Sequence, residues 1–193
     1  MEGIPLLLEG CKLTLKAPDI GYAPLMQQAI QESIDDLKKW LTWATHIPSV
    51  EECKERATTA LEAFKEKRDL PFYIFTKDEQ NFIGRAGLHH IDWSVPKFEI
   101  GYWIRTSCQH QGYATEAVQL LTEFVFHELN ANRVEIRCDD NNLRSRAIPQ
   151  KLAFRLEGIL YNETLTPDGR LRNTMVFAKT RDDKSATVFH DKI

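Results

Sequence analysis

The chain has four cysteines in 193 residues, Cys11, Cys53, Cys108 and Cys138, and no two are spaced as Cys-x-x-Cys. That scatter speaks against a zinc site and against a disulfide framework, so buried or incidental thiols are expected. Basic residues show no surplus either: 25 Lys and Arg stand against 28 Asp and Glu, a formal net charge of −3. A nucleic-acid partner is recognised through a surplus that neutralises phosphates, so none is expected. The opening MEGIPLLLEG has one brief apolar run and no positive n-region. It reads as neither a signal peptide nor a membrane span, which makes the cytoplasm the expected compartment and leaves no membrane partner. There is no Gly-Lys-Ser/Thr of a Walker loop and no Gly-x-Gly-x-x-Gly dinucleotide fingerprint.

What is present is an ordinary globular composition, 42% hydrophobic and 27% charged, in a length suited to one domain with a sizeable core. The stretch CKLTLKAP (11–18) alternates as an opening strand. Apolar residues at helical spacing then predict a helix over 25–43, including the Trp40, Leu41, Thr42, Trp43 segment. After Pro48, Ser49 is a candidate N-cap for a second helix with acidic residues in its first turn and basic ones in its last. From Leu70 the period changes to that of strands: two around the turn KDEQN, and a third in KFEIGYWIR.

A helix with Ala114, Ala117, Val118, Leu121, Phe124, Val125 and Leu129 on one face follows, and then the β-branched strand NRVEIRC. A strand, helix and strand in that order imply at least one parallel pair. NNLRSRAIPQKLAF contains a short helix that Pro149 disturbs. Two last strands join at TPDGR, a turn signal, and a polar tail occupies 181–193. The fold class expected is α/β with a mixed sheet, in one domain over 1–180.

The tract between the third strand and its helix, TSCQHQGYATE, carries the chemistry. A glycine and a small residue where a helix begins leave unpaired amides at the positive end of the helix dipole, which suits an anion such as phosphate. A tight strand-to-helix turn needing glycine for steric reasons is the plainer alternative. Gln109, His110, Gln111, Gly112, Tyr113 and Ala114 resemble the Gln/Arg-x-x-Gly-x-Gly/Ala signature of the GNAT N-acetyltransferase superfamily. EIGYWI before it, NRVEIRC after it, the Asn-x-x-Ser of Asn142 to Ser145, and KLAFRLEG resemble, in order, the RimJ/RimL-type branch, which acetylates protein N-terminal amines. Ala153 stands where that family usually has Gly, and Pro149 where it commonly has a helix-compatible residue.

The resemblance implies a GNAT fold: a twisted, mostly antiparallel sheet with one splayed parallel pair, flanked by helices. It implies acetyl-CoA as co-substrate, no metal, and direct attack of an amine on the thioester in a ternary complex. Contacts to acetyl-CoA are then expected from Ile100, Tyr102, Trp103 and Ile104 on the strand, from Gln109 through Ala114 and Thr115 at the loop, and from Asn142 and Ser145. A backbone N–H of 100–104 would meet the oxyanion, and Ser145 would serve the departing sulfur. Glu163 resembles the glutamate proposed as general base in RimL-like enzymes, and Glu99 is the second candidate.

Helix capping is an equal reading for Asn142 and Ser145, and a solvated strand carboxylate for either glutamate. His89, His90 and His110 lack the carboxylate or cysteine spacing of a metal site. The acceptor expected is a protein N-terminus, a ribosomal one included; a polyamine or aminoglycoside acetyltransferase, or a CoA-binding sensor without catalysis, are the alternatives. An α-amine with a pKa near 8 is about a tenth neutral at pH 7, which lowers the demand on any base. Monomer and homodimer are both allowed, with the dimer favoured.

Overall fold

The computed structural model describes residues 3–183. Of the polar tail expected over 181–193, residues 184–193 lie outside the described residues. Eight strands form one sheet in the order β1-β2-β3-β4-β5-β6-β8-β7. They are β1 (Leu7–Glu9), β2 (Leu13–Lys16), β3 (Leu70–Thr76), β4 (Phe82–Asp92), β5 (Lys97–Ile104), β6 (Arg133–Asp139), β7 (Arg155–Leu165) and β8 (Leu171–Thr180). Four α-helices accompany them: α1 (Ala23–Leu37), α2 (Val50–Lys65), α3 (Tyr113–His127) and α4 (Leu143–Lys151). Every strand pair is antiparallel except β5 with β6, the pair that the strand, helix and strand order required.

Helix α2 starts where its sequence says it should. Ser49 Oγ accepts from the Glu52 amide at 3.1 Å and Glu52 Oε2 accepts from the Ser49 amide at 2.7 Å, a complete capping box. Helix α1, by contrast, stops at Leu37, so the helix expected through Trp43 is shorter than its apolar spacing promised. The Trp40 and Leu41 amides both bond the Leu37 carbonyl, at 3.0 and 2.8 Å, tightening the last turn. The chain then leaves the helix because tertiary partners claim it: Arg172 donates to the Trp40 carbonyl at 3.0 Å, and the Trp43 ring lies 6.1 Å from that of Trp103. Trp40 to Trp43 are turn, not helix. The short strand β1 had no alternation to reveal it; pairing of Leu8 with Leu15 makes it.

Over its central strands the sheet is covered on both faces, while β7 stays largely exposed. On one, α3 lays Val118, Leu121 and Phe124 over Phe72, Leu88, Phe98 and Ile136. Phe72 meets Phe64 and Phe124 edge-on, at centroid separations of 5.4 and 6.4 Å. On the other, α1 packs Met26, Ile30 and Leu37 with Tyr73, Phe75, Phe82 and Trp103. The feature that matters for function lies between β5 and β6. Their ladder runs only from Lys97↔Arg133 to Glu99↔Glu135, although the strands continue to Ile104 and Asp139. Beyond Glu99 the two diverge, and the edge of β5 facing β6 has no strand partner.

Candidate active site

The turn from β5 into α3 is built from two left-handed residues, His110 at φ 61° and Gly112 at φ 86°. Interleaved with right-handed backbone, such residues curl successive amides into a concave nest for an anion. Gly112 is the N-cap of α3, and the first helical bond there runs from the Glu116 amide to the Gly112 carbonyl at 3.0 Å. The amides of Tyr113, Ala114 and Thr115 therefore point outward at the positive end of the helix dipole. Lys12 adds a formal charge: its Nζ lies 4.0 Å from where a Cβ on Gly112 would sit. A phosphate fits this cradle.

Helix α1 holds the loop in place. The Thr106 amide donates to Ser33 Oγ at 3.0 Å and the Ser107 amide to Glu32 Oε1 at 2.8 Å. One turn further, Gln109 Nε2 donates to Asp36 Oδ2 at 3.1 Å. Arg144, from α4, donates to both oxygens of Asp36 at 3.1 and 3.2 Å and to Gln109 Oε1 at 2.5 Å. Three distant segments thus meet at one carboxylate. The Arg144 guanidinium, helped by Gln109 and Lys39, holds the Asp36 carboxyl at about 2.

The divergence of β5 and β6 opens a cleft of about 600 Å³, within the range of small-molecule sites. All the contacts expected from the sequence line it except Gln111 and Glu163. Gln111 instead donates to the Ser107 carbonyl at 3.2 Å. Asn142 does cap α4, its Oδ1 accepting from the Ser145 amide at 3.1 Å, which leaves its amide hydrogens for a ligand. The Tyr102 hydroxyl lies 3.0 Å from the Ser145 carbonyl and 3.2 Å from Ser145 Oγ. Burial pushes Tyr102 above the ordinary phenol range, so it stays a donor. Cys138 lines the same wall, and burial raises its thiol to about 11.

The two glutamates separate. Glu99 lines the cleft, and its Oε2 is 2.9 Å from His90 Nδ1. Glu163 sits in an irregular part of β7, where pairing jumps from Leu160↔Thr174 to Thr164↔Arg172 and Asn162 has φ 52°. It accepts from Thr174 Oγ1 at 2.8 Å and lies 3.6 Å from Arg137, which stands between it and the cleft as a lining residue. The far wall is Trp40, Leu41, Asp139 and Arg172. Arg172 joins them, donating to the Trp40 carbonyl and, at 3.0 Å, to Thr164 Oγ1, with Asp139 4.0 Å away. Lys12, Asp36, Arg137, Arg144 and Arg172 were not singled out in the sequence. Arg144 alone had a signal, its place inside Asn-x-x-Ser. No group of three or more His, Cys, Asp or Glu converges among the described residues.

Residues 12–155 match the family model of the acetyltransferase (GNAT) domain. A Bacillus licheniformis protein named uncharacterized N-acetyltransferase p20 is 34% identical over 107 residues, 55% of this chain and 60% of that protein. The ribosomal-protein-serine acetyltransferase of Escherichia coli K12 is 27% identical over 148 residues, 77% of this chain and 82% of that one. Against the first three Bacillus relatives the chain spans 60%, 41% and 62% of their length. Among solved structures, RimL, an L7/L12 α-N-protein acetyltransferase in complex with coenzyme A through a disulfide to a cysteine, superposes with a TM-score of 0.83 at 23% identity, over 93% of this chain and 98% of that one. At that identity the likeness establishes the fold.

Proposed function

The chain belongs to the GNAT acetyltransferase family, and from that premise we propose that it transfers an acetyl group from acetyl-CoA to a primary amine, the N-terminal α-amine of a protein, ribosomal proteins included. The observation that carries this reading is the nest at His110 and Gly112 opening into the cleft where β5 leaves β6. One end of that space suits a pyrophosphate and the other carries Glu99.

The bound thioester supplies an activated acetyl group. Everything else falls to the chain. The amides of the α3 first turn and Lys12 hold the pyrophosphate. Asn142 binds the pantetheine arm through its free amide hydrogens. The unpaired edge of β5 offers a backbone N–H to the carbonyl oxygen as charge gathers there, a contribution that needs no side chain. Glu99 takes the proton of the incoming ammonium, with Glu163 acting behind Arg137 on that residue's charge. Ser145, oriented by Tyr102, donates to the leaving sulfur, whose thiol pKa near 8.5 makes it a tolerable leaving group.

The acceptor end favours a peptide over a polycation. Arg137 and Arg172 stand on that side beside Glu99 and Asp139, and they offer a peptide carbonyl donors for which a polyamine or aminoglycoside has no use. The relative named for ribosomal-protein serine points the same way. Ala153 gives the sensor alternative no support, because it keeps the left-handed backbone, φ 56°, that a glycine would adopt there. On this reading the partners are acetyl-CoA and a cytoplasmic protein N-terminus, with the homodimer as working assembly.

The test is thermal unfolding with CoA and acetyl-CoA at about 100 times the dissociation constant, where linkage gives about 2.7 kcal/mol of stabilisation. The shift is expected with both ligands and lost in Gly112→Asp, whose carboxylate repels pyrophosphate. N-terminal peptides, spermidine and an aminoglycoside are then compared as acceptors by CoA thiol release. No shift with either ligand overturns the reading.

A further inference from the structure

Strand β4 is bulged at one place that the sheet does not require. Its register with β5 runs to His89↔Glu99 and resumes at Asp92↔Lys97, so His90 and Ile91 together face Phe98. At the bulge His90 takes φ 47°, a left-handed conformation uncommon for a residue with a side chain. A bulge re-aims a side chain, and this one brings His90 Nδ1 to 2.9 Å from Glu99 Oε2. The ring is 80% exposed while Glu99 is 21% exposed. An exposed pair of this kind stabilises a fold by less than the strain of the backbone that makes it, so stability does not account for the arrangement.

Glu99 and Arg137 are the two residues that line both the main cleft and a smaller cavity of about 220 Å³. His90 lines the smaller one alone. A carboxylate in the cleft is therefore joined, through one hydrogen bond, to an imidazole in water. We propose that His90 is a positioning and proton-relay residue for Glu99, and this rests on the acetyltransferase reading above. Glu99 accepts the proton of the acceptor ammonium and becomes a neutral acid. In the resting pair Nδ1–H donates to the Glu99 carboxylate. Once Glu99 is protonated, the exposed ring exchanges through water to its Nε2–H tautomer and Nδ1 accepts the proton from Oε2. The imidazolium then releases its Nε2 proton to water, which restores the Nδ1–H form. The net change is ammonium and water to amine and hydronium, with Glu99 again a carboxylate for the next turnover.

The neighbours leave His90 as the partner that can do this. Lys97, Glu135 and Arg137 line the same cavity. Glu135 is engaged by Arg133 at 2.7 Å and lies 3.6 Å from Arg137. On β4, Asp92 bonds Ser94, while His89 is taken up by Asp69 at 2.5 Å. Among the described residues His90 is the one side chain hydrogen-bonded to Glu99.

The test uses His90→Asn, because Asn tolerates the left-handed backbone but carries no proton in this range. Turnover of the best acceptor peptide is expected to fall about tenfold in kcat, with KM for acetyl-CoA unchanged, and free imidazole restores kcat in His90→Gly. Unaltered kcat in His90→Asn while Glu99→Gln is inactive overturns the relay and spares the acetyltransferase reading. Full activity of Glu99→Gln overturns the base and the relay together, and absence of CoA binding overturns the function itself. A loss that imidazole does not repair, matched by a lower Tm, reduces His90 to a structural role. Independently of any acceptor, the His90 ring nitrogen resonances are expected to move in Glu99→Ala, which removes the hydrogen-bond partner of Nδ1. No movement means the pair does not form, and the proposal falls.

Discussion

The Tyr102 hydroxyl bonds the one helical carbonyl that Pro149 leaves unserved. In α4 the carbonyl of Ser145 would receive the amide of residue 149, but proline has none, and the Tyr102 hydroxyl occupies that place at 3.0 Å. The proline that made the sequence of α4 hard to read is what ties the helix to β5 at the cleft. Tyr102→Phe is expected to cost about 1–3 kcal/mol in urea denaturation, the range for orphaning a buried acceptor. In Pro149→Ala the helix bond returns, so the same Tyr102→Phe change should cost about 1 kcal/mol less. That coupling is read from the double-mutant cycle. Additive costs would show that the hydroxyl does not replace the amide.

Ala153 follows α4 with φ 56°, its amide bonding the Gln150 carbonyl at 3.1 Å. This is the left-handed residue that ends a helix, where a Cβ is a liability. Ala153→Gly is expected to stabilise the protein by about 1 kcal/mol, which thermal melts should show as a rise in Tm of about 2–4 °C. CoA affinity should be unchanged, since Ala153 does not line the cleft.

Arg144 joins Asp36 to Gln109 across the cleft mouth, so loss of the guanidinium frees both the loop and the end of α1. Arg144→Ala is expected to weaken CoA binding several-fold by calorimetry, with little change in Tm, as for other partly exposed ion pairs worth about 0.5–1 kcal/mol. The pH sign follows from Asp36. Its folded carboxyl is depressed from 3.8 to about 2, so its contribution is complete above pH 4 and fades as pH falls toward 2. Acid unfolding of Asp36→Asn should therefore begin from a lower plateau and lose less stability across that window.

Cys138 shares the cleft with Ser145, yet burial holds its thiol at about 11. At pH 8 about a thousandth of it is thiolate, against roughly a quarter of an ordinary thiol near 8.5. Iodoacetamide should label exposed Cys11 on the order of 10² times faster than Cys138, and acetyl-CoA should slow Cys138 further. Mass spectrometry of timed samples measures both. Comparable rates would mean that the wall at Cys138 opens.

Much of the sheet was legible because its signals are local. Alternation marked β2, the change of period at Leu70 marked β3, Ser49 marked the start of α2, and the glycine before α3 marked the nest. The end of α1 was not, because Arg172, 132 residues away, decides where the chain turns at Trp40. The same distance hid the meeting of Asp36 with Arg144, which are separated by 108 residues. Glu163 stood ahead of Glu99 because it resembles the glutamate proposed as general base in RimL-like enzymes. In the structure Glu163 lies in the irregularly paired part of β7, 3.6 Å from Arg137, which lines the cleft where Glu163 does not. Local chemistry is written in local sequence, while the choice between two carboxylates depends on register.

Arg172 offers a way to test the acceptor wall apart from the cofactor loop. Its guanidinium is 18% exposed and spans the Trp40 carbonyl, Thr164 and Asp139, so it fixes the turn that replaces the end of α1. None of its hydrogen bonds reaches the nest at Gly112. Arg172→Ala frees that turn, leaves the Trp40 carbonyl without its donor and removes the cation 4.0 Å from Asp139, a change expected to destabilise the fold by about 1–3 kcal/mol. In kinetics the acceptor should suffer and acetyl-CoA should not: KM for the peptide rises about tenfold, equivalent to about 1.4 kcal/mol of lost binding, at constant KM for acetyl-CoA. Arg172→Lys keeps the charge but cannot span three partners, so it should recover less than half of that loss. Equal rises in both KM values would place Arg172 in support of the whole cleft instead of its acceptor wall.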